Sequence, residues 1–306
     1  MDTSKMRVEL IVAAGAVCGE SPIWDPDAGL LLWTDTASPY VHSWDPAAGV
    51  AGSRKTDRTV RSVARARDGA LVLICADGVY TLEASKSAAR LLCDPERGRA
   101  GMMPDDGTVD PAGRLVFDTY HSEVLDAAEG SLYSVGPDGT VRTLDSGLKL
   151  PNGIAFSPDG GTMYVAEMFA GRILRYDYDP ADGTASGRRL FAEVPSPEGL
   201  PDGVIVDAEG FLWNARWGGW RIVRYTPDGK VDRTYPMPFA TATCMGFGGP
   251  ALEDLYISSA TLGLSAEESA KSLSPGGLFV MRGAGRGMEE GVFGKPRGRP
   301  DRVSGA

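Results

Sequence analysis

A chain of 306 residues, 42% hydrophobic and 24% charged, has globular composition and enough apolar material for a large core, which excludes disorder as its default state. That length suits one closed all-β fold or two small domains. The formal charge of −10, from 31 basic and 41 acidic side chains, repels phosphate backbones and anionic lipid, so a small-molecule partner is expected, with neither nucleic acid nor a membrane.

The first element is "VELIVAAGAVC", residues 8–18. Glu9 breaks the apolar run, and Val17 before Cys18 is not the small residue that lipoprotein processing prefers, so a structural strand is expected and not an export signal. Six strand-like runs follow: "LLWTD" from Leu31, "LVLIC" from Leu71, "LVFDT" from Leu115, "MYVAE" from Met163, "LWNAR" from Leu212 and "LYISS" from Leu255. Between them recur "DPDAG", "DPAG", "PDGT", "SPDGG", "DAEG" and "TPDGK", in which Asp bonds its own backbone and Gly takes positive φ, marking tight reversals. "SAEESAKSL" near residue 269 is the one short helical candidate. The basic run "KPRGRPDR" at 295–302 reads as part of a solvated tail. Cys18, Cys75, Cys93 and Cys244 form no CxxC pattern, which points to reduced thiols in a cytoplasmic protein.

The six runs start 40, 44, 48, 49 and 43 residues apart, the period of four-stranded propeller blades. An all-β, six-bladed β-propeller with a central metal site is therefore expected, as a single domain over 1–306 with its core at about 7–282 and a tail at 283–306. A pair of β-sandwiches would not give so even a spacing. Ten or eleven positions before each run, where the preceding strand should end, stand Glu20, Arg61, Asp105, Asn152, Asp202 and Cys244. Equivalent positions of a propeller face one axis. Carboxylates gathered there without a partner repel, and the common remedy is a bound cation. Glu, Asp and Asn offer oxygen donors only, the preference of hard divalent ions.

The segments "GESPIWDPDAGLLLWTD", "DDGTVDPAGRLVFDT", "LPNGIAFSPDGGTMYVAE", "LPDGVIVDAEGFLW" and "SPGGLFVM", in that order and spacing, make the chain similar to the regucalcin and gluconolactonase family, the senescence-marker-protein type of six-bladed propeller, over about residues 17–282. That resemblance implies one divalent metal on Glu20, Asn152 and Asp202, with Asp202 also placed to activate water for opening a lactone. Calcium is the expected ion, with zinc, manganese, magnesium and ferrous iron as alternatives; Asp105 is a candidate fourth ligand or water acceptor.

Sugar-lactone members carry Arg-x-Asn-Asp-Gly in the third blade. Here the stretch is "MPDDG", with Met103 for the arginine and Asp105 for the asparagine, so the usual sugar grip is missing. Leu262 in the sixth blade also makes the rim more apolar. Arg61 is expected to offer a cation from another wall, and His121, in a loop after the third run, to reach toward substrate. Trp217, with Trp24, Phe169 and Trp220, is either blade packing or an apolar pocket wall; His42 is assigned to packing or surface. The leading function is a metal-dependent lactonase, working as a monomer or small homo-oligomer. The alternatives are a metal-dependent esterase, phosphotriesterase or cyclase acting on a less polar substrate, and a non-catalytic calcium-binding propeller.

Overall fold

The computed structural model describes residues 7–296, and these form six four-stranded antiparallel sheets arranged as a six-bladed β-propeller. The first strands of blades 1 to 6 are Gly19–Asp25, Ser62–Arg65, Met102–Val109, Pro151–Phe156, Leu200–Val206 and Ala242–Gly248. Each packs against the first strand of the next blade, and Gly19–Asp25 packs against Ala242–Gly248, so the six line a closed ring around the axis. The runs read from the sequence are the second strands, from Leu30–Asp35 in blade 1 to Asp254–Ser259 in blade 6. Blade 6 takes its outermost strand from Val8–Val12, which pairs with Leu278–Met281.

The apolar faces of the blades meet in six clusters, each at a junction between neighbours. At the junction of blades 5 and 6, for example, Trp213 and Tyr235 face Phe247 and Phe279. This arrangement follows because a four-stranded blade has no surface other than its neighbours on which to bury an apolar face. Trp24, a candidate pocket aromatic, belongs to the junction of blades 6 and 1, where it stacks on Tyr256 at 6.4 Å between ring centroids. The turn signals also mean what they suggested: Asp110 Oδ1 accepts from the Ala112 and Arg114 amides, and Asp207 Oδ1 from those of Glu209 and Phe211.

The helical candidate is a six-residue helix, Ala266–Lys271, started by a capping box between Ser265 and Glu268. The expected tail departs from expectation over its described part. Phe293 is buried among blade 2 and blade 3 residues, and its amide donates to the Arg65 carbonyl. Burying that aromatic surface holds the segment against the sheet ends. The basic run beyond Pro296 lies outside the described residues. Among the described residues no helix is long and apolar enough to cross a membrane.

Candidate functional site

Five of the six first strands carry a register shift close to the starts of their pairings: between Glu20 and Ile23, Pro104 and Gly107, Asn152 and Ile154, Pro201 and Val204, and Ala242 and Met245. The positions counted back from the runs therefore sit near the beginnings of the innermost strands, not at the ends expected from sequence. Arg61 immediately precedes its strand. A bulge re-aims a side chain that regular pairing would turn into the sheet. Its cost is a broken ladder, and side chains from the second strands supply replacement hydrogen bonds.

Thr34 donates to the Glu20 carbonyl at 3.3 Å, Asp118 Oδ1 accepts from the Asp106 amide at 3.3 Å, and the Cys244 amide donates to Ser258 Oγ at 3.2 Å. In blade 5, Asn214 Nδ2 donates to the carbonyls of Asp202 and Gly203 at 2.9 and 3.2 Å. Asn214→Leu is accordingly expected to lower stability by about 1–3 kcal/mol, since two buried carbonyls lose their donor. A urea titration would measure the loss; an unchanged midpoint would mean that the bulge holds itself.

The glycines of "PNG" and "PDG" serve this architecture as well. Gly153 lies at φ +49°, and a Cβ there would stand 2.5 Å from the Val204 amide nitrogen. A Cβ at Gly203 would stand 2.8 Å from Cys244 Cα. Neighbouring first strands thus meet backbone to backbone, which any side chain at these positions would prevent.

At the bulged end, a cavity of about 420 Å³ is lined by Glu20, Asn152, Asp202, Asp105, Arg61 and Cys18 among others. Larger grooves of about 830 and 770 Å³ lie at the far ends of the first strands, lined by turns and by the 286–296 segment. Two carboxylates that the sequence reading missed stand behind the cavity. Asp106 accepts from Ser62 Oγ at 2.9 Å, and Ser62 in turn accepts from Ser21 Oγ at 2.6 Å. Asp118 is fully buried on the second strand of blade 3.

Glu20, Asp105, Asp106, Asp118 and Asp202 make five carboxylates, and Arg61 is the single cationic side chain among the cavity-lining residues. Burial, then the charges of Asp202, Asp106 and Asp105, drives the Glu20 carboxyl well above its ordinary range. Asp202 is raised by burial, then Asp105 and Asp106; Asp106 is pushed up to about 6, chiefly by burial. Such a cluster either holds protons or holds a cation.

The hydrogen bonding favours a cation. Asn152 Oδ1 and Asp202 Oδ1 are buried without any protein partner, and both belong to residues that line the cavity with Glu20. An orphaned buried acceptor costs about 1–3 kcal/mol, a penalty that a coordinated ion removes. Cys18 and Cys244 face the same carboxylates, and burial followed by the Glu20 charge holds both thiols well above their ordinary value. They stay neutral, leaving an all-oxygen donor set suited to a hard ion. Among the described residues no group of three or more His, Cys, Asp or Glu side chains is gathered so as to hold a metal ion.

Arg61 and Asp105, read separately from the sequence, form one ion pair. Arg61 Nε donates to Asp105 Oδ1 at 2.8 Å, and its Nη2 reaches the same oxygen and, at 3.1 Å, the Tyr120 hydroxyl. The attraction of the adjacent guanidinium thus engages the carboxylate considered as a fourth ligand. Trp217 and Leu262 line the cavity, as does Phe169. Met103 and His121 do not. Met103 packs against the Tyr120, Leu150 and Met168 cluster, and His121 Nδ1 accepts from the Glu123 and Val124 amides, which ties its ring to its own loop. Trp220 is also outside the lining, and His42 bonds Ser53 Oγ at 2.8 Å on the outer half of blade 1.

A family model described as the SMP-30/Gluconolactonase/LRE-like region matches residues 18–261. A pentonolactonase of Haloferax volcanii is 35% identical over 258 residues, which cover 83% of this chain and 86% of that protein. Regucalcin of Xenopus laevis is 30% identical over 287 residues, covering 92% and 96%. The crystal structure of a calcium-binding protein, regucalcin, from Agrobacterium tumefaciens superposes with a TM-score of 0.88 at 27% identity, over 94% of this chain and 97% of that one.

Proposed function

The chain belongs to the SMP-30/gluconolactonase/LRE-like family, and from that premise we propose that it hydrolyses a lactone, using one divalent cation held by Glu20, Asn152 and Asp202. The observation that carries this reading is the pair of orphaned oxygens, Asn152 Oδ1 and Asp202 Oδ1, inside a buried acidic cluster that opens on the cavity. The pentonolactonase relative supports the reaction class, and the calcium-binding regucalcin supports calcium as the first ion to try.

When bound, a divalent ion polarises the lactone carbonyl as a Lewis acid. The chain's own groups do the rest. Asp202, 1% exposed and lining the polar end of the cavity, is the carboxylate placed to take a proton from an attacking water. Asn214 fixes the backbone that carries Asp202. Asp105 serves as the partner that orients Arg61, so the guanidinium and the Tyr120 hydroxyl present donors to the cavity. No serine or cysteine nucleophile is needed, and the raised Cys18 thiol is poorly suited to be one.

Acid release from five- and six-membered lactones, followed with a pH indicator on chelated protein and after return of calcium, manganese, zinc or ferrous iron, tests the proposal. Turnover restored by an ion is expected. Tight ion binding with no turnover on any lactone or simple ester would assign the chain instead to the non-catalytic calcium-binding reading.

A further inference from the structure

We propose that the substrate is an amphiphilic lactone, whose ring carries an alkyl or aryl substituent, and not a polyhydroxylated sugar lactone. This rests on the hydrolase reading and narrows it. The cavity has two chemically distinct ends. Its polar end holds Glu20, Asn152 and Asp202 with the Arg61–Asp105 pair. Its mouth is built at equivalent places, the ends of the second strands and the connections that follow them; blade 1 contributes Thr36 there, and blades 3 to 6 each contribute a large apolar side chain. These are Leu125 in blade 3, Phe169 in blade 4, Trp217 in blade 5 and Leu262 in blade 6.

Three of them stand in water: Leu125 is 40% exposed, Phe169 39% and Leu262 52%. The loops of blades 5 and 6 also approach each other, since a Cβ at Gly263 would lie 3.6 Å from Trp217 Cζ2. Apolar groups concentrated around a cavity mouth, above a wall of Leu150, Met168 and Leu200, are the signature of a ligand that brings its own apolar surface. A sugar lactone would set its hydroxyls against these side chains, where they would forfeit hydrogen bonds to water without replacement. Thr36 aside, the hydrogen-bonding side chains are at the other end, where Glu20, Asn152 and Asp202 are proposed for the ion and Arg61 and Tyr120 face the ester. Both the ester and an apolar substituent can therefore be satisfied together, whereas a ring of hydroxyls cannot.

The test compares kcat/KM on the full chain, with the activating ion present, for γ-butyrolactone, its γ-alkyl homologues of increasing length, and five- and six-carbon aldonolactones. A rise of roughly fourfold per added methylene is expected until the mouth is filled, together with a preference for alkyl lactones over aldonolactones. The double variant F169S/L262S should flatten that slope. A flat series, or preference for an aldonolactone, would overturn this inference and leave the hydrolase reading standing. Absence of turnover on every lactone would defeat the hydrolase reading instead; quenching of tryptophan fluorescence by 2-alkylcyclopentanones would then decide the inference alone, and affinity independent of alkyl length would overturn it. A solution dimer dissociated by F169S/L262S would assign the apolar mouth to a second copy of the chain and overturn it as well.

Discussion

Asp202→Asn is expected to lower kcat for lactone hydrolysis by about 10²–10⁴-fold, the usual worth of a positioned general base. The substitution keeps the side chain's size and one carbonyl-type oxygen, so the bulge between Pro201 and Val204 and its Asn214 hydrogen bonds should persist. It removes proton affinity and one ligand charge, so kcat is read with the ion in saturating excess. Circular dichroism of the variant should match the parent, its melting temperature without the ion should be no lower, and at saturating ion KM should change little against the fall in kcat. Activity within tenfold of the parent would mean that another group takes the proton.

The second large effect concerns Glu20. Glu20→Gln is expected to weaken divalent-ion binding by about 100-fold or more, since the loss of a direct charged ligand should exceed the 10–100-fold typical of outer-shell changes. It should also raise the stability of the ion-free protein, because one member of a crowded acidic set becomes neutral. The pH dependence has a definite sign. Glu20 and Asp202 have carboxyls raised by burial first and by neighbouring carboxylates second. A raised carboxyl favours the fold while protonated, and that contribution disappears as pH climbs through its folded pKa. The ion-free parent should thus lose more stability than the variant as pH rises above the ordinary carboxylate range, and the ion should restore the parent alone. Melting curves in chelator, with and without added calcium or manganese, read all three. A variant that keeps its ion-induced rise in melting temperature would show that Glu20 is not a ligand.

The blades were legible because five of the six second strands begin one or two positions after the glycine that closes a reversal, Gly29, Gly69, Gly113, Gly161 or Gly210, and chain spacing preserves that repeat. Glu20, Asn152 and Asp202 were legible as equivalents for the same reason. Their bulges were not, since register depends on what the facing strand offers. Asp106 was hidden beside Asp105 in a stretch that reads as a turn, and Asp118 inside an apolar strand. A signal for Asp118 was present: "LLWTD", "LVFDT", "LWNAR" and "LYISS" each place a polar residue, Thr34, Asp118, Asn214 or Ser258, directly after a large apolar one. Those are the side chains that hydrogen-bond the bulges. The Arg61–Asp105 pairing joins different blades across 44 positions of sequence, a distance over which local pattern carries no information.

The pairing of Val8–Val12 with Leu278–Met281 makes the ring a belt with a single buckle. Five blades are each folded from one continuous stretch of chain, but the sixth is finished only when segments some 270 positions apart find each other, a search that loop-closure entropy makes late and cooperative. Once fastened, the junction of blades 6 and 1 cannot open unless that whole strand peels away. A circular permutant cut in the connection between blades 1 and 2, with the old ends joined, would complete every sheet from contiguous sequence and leave the ring closed there without a shared sheet, by apolar packing and polar contacts such as Ser21 with Ser62 and Arg65 with Asp25. It should assemble faster than the parent and come apart faster too.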